Sequence, residues 1–106
     1  MLFRSFSKQG LVAVLTGTTR YYFDDSRTIT KIRASLGTVA TGSSVIVALK
    51  LNGSTTVGTV TIAASSFTST TTVSQSVVSG DYITIDTTQV GSTFAGADLI
   101  VTLSVS

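Results

Sequence analysis

The chain has 106 residues, with seven Lys or Arg against five Asp, and it contains no His, Cys or Glu. That inventory excludes a disulfide framework, thiolate metal sites, thiol nucleophiles, His-based proton shuttles and the common catalytic triads. Charged residues make up only 11% of the chain, below the ~25% of ordinary domains, while 42% is hydrophobic. The composition is therefore that of an ordered domain whose surface is short of charge.

Ser and Thr fill the polar positions, and the β-branched Thr favours strands. Pro is absent, so Gly, Asn, Asp and Ser must supply the turns. Leu2, Phe3 and Phe6 alternate with Arg4, Ser5, Ser7 and Lys8. Residues 1–10 therefore read as a first edge strand or as an arm that packs on a neighbour, with the sandwich proper in 11–106. Gln9-Gly10 reads as a break. Leu11–Thr16 and Thr18–Phe23 are strand candidates, and Asp24-Asp25-Ser26 is a turn. Thr28–Leu36 is strand-like with imperfect alternation, since Ile29 and Ile32 fall on opposite faces, which points to a bulge.

Gly37–Ser43 reads as a loop. In Val45–Leu51, Val45, Val47, Leu49 and Leu51 share one face. Asn52-Gly53 then predicts a type I′ turn into a return strand, Thr55–Ala63. Phe67–Val73 and Gln75–Val78 form one bent strand or two short ones. Ser79-Gly80-Asp81 is a turn, and Tyr82–Thr88 a strand with Ile83 and Ile85 inward. Gln89–Ala97 is a loop. Asp98–Val105 places Leu99, Val101, Leu103 and Val105 on one face. The sum is an all-β chain: a single antiparallel β-sandwich, jelly-roll-like, of about eight strands with essentially no helix.

Chemistry is sparse. Asp24 and Asp25 are neighbours, and neighbours on a strand point apart, so they do not make a carboxylate pair. A calcium site would need six to eight oxygens, and no loop motif supplies them. Neither a metal nor another cofactor is expected. Asn52-Gly53-Ser54 matches a glycosylation triplet, but the hairpin turn accounts for it. No apolar run approaches the ~18 residues of a membrane span, and no clear signal-peptide cleavage site follows the short Leu11–Leu15 run. A net charge of +2 is too small to imply nucleic acid. All seven basic residues lie at or before Lys50, which suggests a basic side and a weakly acidic side for complementary docking. Arg20 with Tyr21, Tyr22 and Phe23 suggests a stacking or interface patch.

The stretches "GTVATGSSVIVALKLNGSTTVGTVTIAASS" and "SGDYITIDTTQVGSTFAGADLIVTLSV" resemble β-sandwich modules in virion proteins of tailed bacteriophages. The resemblance covers about Thr28 to Val105 and carries no catalytic residue. It implies a non-enzymatic virion component. For a compact sandwich with a short N-terminal segment, it implies a capsid cement or decoration protein. Such a protein binds the major capsid protein at the capsid surface as a homo-oligomer, often a trimer. Contact is then expected through Leu2, Phe3, Arg4, Phe6, Lys8, Arg20, Lys31 and Arg33. Deleting residues 1–9 is expected to abolish capsid binding and leave the sandwich folded. The alternative is a receptor- or carbohydrate-binding sandwich of a tail fibre or baseplate, using Tyr21 and Tyr22 or the loops Gly37–Ser43 and Gln89–Ala97.

Overall fold

A computed structural model describes residues 2–11, 14 and 20–105, the first ten as backbone only. The expected strand Leu11–Thr16, apart from Leu11 and Val14, and the Thr18–Thr19 start of the next lie outside the described residues. Eight strands follow in order: β1 (Leu2–Leu11), β2 (Tyr21–Tyr22), β3 (Arg27–Ser35), β4 (Val45–Leu51), β5 (Thr55–Ile62), β6 (Thr68–Val77), β7 (Tyr82–Gln89) and β8 (Ala97–Val105). Among the described residues there is no helix, and so none long and apolar enough to cross a membrane.

The strands form two four-stranded antiparallel sheets, ordered β1-β8-β3-β6 and β2-β7-β4-β5. Successive strands change sheet at every connection except the β4–β5 hairpin. That connectivity is a jelly roll, in which two stacked sheets cover each other's apolar faces. The period-2 alternation supplies the filling. Val45, Val47, Leu49 and Leu51 from β4 meet Ile29, Ile32, Leu99, Val101 and Leu103 from the other sheet in one apolar core.

Three irregularities shape the sheets. In β3 the register slips between Ile29 and Lys31 against both β6 and β8. This bulge lets both isoleucines enter the core, at 0% and 1% exposure, despite their odd spacing. In β1 the expected break at Gln9-Gly10 is instead a register shift between Lys8 and Leu11, and the strand runs through it. β6 is one continuous strand rather than two.

The β4–β5 turn has the two consecutive positive φ values of type I′, 54° at Asn52 and 76° at Gly53. Ser54 N donates to Leu51 O at 3.2 Å, closing it. Leu51 pairs with Thr55, so the loop has three residues, Ser54 being the extra one.

The backbone of Leu2–Leu11 forms β1 at the edge of the first sheet. Leu2 to Lys8 pair residue for residue with Val105 back to Leu99.

Candidate functional site

On β8, Leu99, Val101 and Leu103 turn inward, which leaves Ile100, Thr102 and Ser104 on the outer face of the first sheet. The registers assemble that face in rows. Thr70, Arg33, Thr102 and Ser5 are aligned, and so are Thr72, Lys31, Ser104 and Phe3. Lys31 and Arg33 are exposed in the middle of it, and Arg33 Nε donates to Thr70 Oγ1 at 3.3 Å. With Thr102 and Ser104 they line a groove of about 260 Å³.

The four strands of this sheet carry Arg4, Lys8, Arg27, Lys31 and Arg33, against Asp98 alone. Arg27 is held locally by two 3.0 Å bonds to Asp25, and the hydrogen bond and charge of Asp25 raise its pKa above the usual guanidinium value. The second sheet's strands carry only Lys50 and Asp86. The basic side therefore exists, but not because the two halves of the chain separate. Jelly-roll connectivity interleaves them, and on the outer face the described cations are Lys31 and Arg33 of β3, whereas Arg4 and Lys8 of β1 stand in register with the inward Leu103 and Leu99.

By backbone register the expected contact residues of β1 fall in different rows. Phe3 shares a row with Lys31, whereas Leu2, Arg4, Phe6 and Lys8 stand in register with Val105, Leu103, Val101 and Leu99. Arg20 lies with the other sheet. There the pair Tyr22↔Tyr82 joins β2 to β7, with ring centroids 5.4 Å apart. The Arg20 guanidinium sits 4.3 Å from the Tyr82 centroid, and its Nη1 donates to Tyr22 Oη at 3.2 Å. The Tyr22 hydrogen bond, then the charge interactions with Tyr82 and Tyr22, raise the Arg20 pKa.

Tyr22 is 51% exposed, while Tyr21 packs against the core with Phe23 edge-on at 5.5 Å. The expected Tyr21–Tyr22 patch is thus split across two faces by the strand's own alternation. Tyr82 was missing from it, because only the β2–β7 register brings it to Tyr22.

The two candidate loops do meet. Thr41 and Phe94 form a bridge, and Ser43 Oγ donates to Val90 O at 2.9 Å. A side chain at Gly42 (φ 90°) would strike Ser92 and Thr93, which shows how closely the loops pack. The carboxylates stay dispersed: among the described residues no three His, Cys, Asp or Glu gather as a metal site would require.

No protein-family model and no curated protein matches the chain. Solved structures do resemble it in fold. The carbohydrate-binding module CBM36, in complex with calcium and xylotriose, aligns with all of both chains at a TM-score of 0.58 and 14% identity. The globular domain of zebrafish complement 1qA protein aligns over 96% of this chain and 94% of its own, at 0.54 and 10%. A Podospora anserina GH26-CBM35 β-(1,4)-mannanase aligns over 98% of this chain but 28% of its own, at 0.52 and 12%. At these identities the shared property is the fold, a β-sandwich of jelly-roll type.

Proposed function

We propose that the protein is a non-catalytic structural component of a virion, a cement subunit that binds the major capsid protein between capsomers at the capsid surface. The observation that carries this reading is the outer face of the first sheet. Lys31 and Arg33 stand there among hydroxyls, and none of the described residues forms an ion pair with either. A basic face of this kind docks on an acidic lattice and steers the approach to it. The resemblance of Thr28–Val105 to phage virion sandwiches supports the same reading. Binding the assembled lattice better than free subunits shifts the equilibrium toward the closed shell, and a homotrimer gains further by multivalency.

The test is co-sedimentation with assembled capsids and with unassembled capsid protein, beside a light-scattering mass for the protein alone. An oligomer that pellets with capsids only, and loses that binding in Lys31→Glu/Arg33→Glu, is expected. The second reading is a tail fibre or baseplate carbohydrate-binding module, favoured by the half-exposed Tyr22 beside Arg20. The grouped carboxylates of a calcium site are lacking among the described residues, so such a module would bind sugar by stacking on the ring. Saturable glycan binding that is lost in Tyr22→Ala, with no affinity for capsids, would overturn the cement reading in its favour.

A further inference from the structure

We infer that the groove between β3 and β8 is a seat for a single carboxylate, presented by the protein surface on which the first sheet docks. This rests on the docking reading above and names the chemistry of its contact. Four observations converge on it.

The groove is lined by Lys31, Arg33, Thr102 and Ser104, two cations facing two hydroxyls in adjacent rows. At about 260 Å³ it lies just below the ~300–1,000 Å³ of small-molecule pockets and has room for a side-chain carboxylate. Ser104 is only 6% exposed, yet its hydroxyl makes no hydrogen bond with any described residue; Thr30 Oγ1 donates to its carbonyl at 3.2 Å. A buried hydroxyl favours an acceptor, and a carboxylate offers acceptors only. Finally, Arg33 uses Nε on Thr70, which leaves its terminal nitrogens and the Lys31 ammonium unengaged by described residues.

Electrostatics select an anion. The one side-chain carboxylate on the strands of this sheet, Asp98, is the second residue of β8, four residues before Thr102. That is roughly 13 Å along a strand, beyond a Debye length at physiological salt. Both lining cations sit on the central strand β3, whose backbone is held by β6 and β8, so their stems are fixed relative to the hydroxyls.

The test is an NMR titration of amide shifts with sodium acetate, sodium sulfate and sodium chloride at matched ionic strength. Saturable shifts at Thr102 and Ser104 in acetate, and none in chloride, are expected. Lys31→Gln, Arg33→Gln and Ser104→Ala should each weaken acetate binding roughly tenfold, the loss of one charge-assisted hydrogen bond. The two cation variants lie on the surface and keep the fold testable if Ser104→Ala perturbs packing.

Shifts that rise linearly and alike in acetate and chloride overturn the inference, as does saturation by sulfate alone. Capsid binding without saturable acetate shifts leaves the docking reading standing and removes the carboxylate seat. Acetate saturation without any capsid binding does the reverse.

Discussion

At the scale of single residues, Asn52 shows how much one side chain can hold in a chain with few charges. Its Nδ2 donates to Asp81 Oδ1 at 3.2 Å, and its Oδ1 accepts from Tyr82 N at 3.1 Å. Asp81 Oδ2 in turn accepts from Val78 N at 3.0 Å, so the β4–β5 and β6–β7 turns are tied together. Asn52 also tolerates its left-handed φ better than most residues do. Replacing it separates the two roles. Asn52→Gly keeps the conformation and loses the bonds, so a cost of about 1 kcal/mol is expected; Asn52→Ala loses both, for about 2 kcal/mol. Urea denaturation measures the pair, and equal stability of the two variants would show that backbone strain plays no part. The turn was legible in the sequence because Asn-Gly demands positive φ. The tie to Asp81 was not, since 29 residues separate the partners and only the fold brings them together.

Among elements, the contact between the sheets depends on a gap that only glycine leaves. Gly58 stands opposite Leu49 where the β4–β5 register slips. A β-carbon there would come 2.8 Å from Val73 Cγ1 and 3.1 Å from Ile32 Cδ1, both reaching across from the first sheet. Gly58→Ala gains a little in backbone entropy but overpacks this point, so a net loss of about 1–2 kcal/mol is expected. Val73→Ala alone is also destabilising, because it removes apolar packing. The double variant should cost less than the two single losses added, since the shortened Val73 makes room for the new methyl. Simple additivity in thermal melts would show that the two sheets do not meet there. Alternation in β4 and β8 made their inward faces readable from the chain. β3 and β1 were harder, because bulges near Lys31 and Gly10 shift the period partway along each strand. For the site, Lys31 and Arg33 could be picked out by charge, but the groove needed Thr102 and Ser104, ordinary hydroxyls until the β3–β8 register sets them beside two cations.

The whole molecule turns on how its first strand is used. A free arm could be removed without harm to the sandwich, and that was one expectation for residues 1–9. The backbone instead pairs Leu2 through Lys8 with Val105 through Leu99 and makes β1 the edge of the first sheet. Behind that pairing, β8 supplies Leu99, Val101, Leu103 and Val105 to the core, each less than 5% exposed. Deleting residues 1–9 would bare the hydrogen-bonding edge of β8 and uncover one side of that apolar row. A bare, long, apolar edge is a template for pairing with other chains. The loss should reach several kcal/mol, which for a domain of this size lowers the melting temperature by roughly 15 °C or more. The truncated protein is therefore expected to melt early or without cooperativity in circular dichroism, and to elute as aggregate in size exclusion. A monodisperse product melting within a few degrees of the full chain would return residues 1–9 to the role of a dispensable arm. Loss of capsid binding in that well-folded product would then place the contact on the arm; in a misfolded one it would say nothing of contact, which is why the surface pair Lys31→Glu/Arg33→Glu is the cleaner probe of docking.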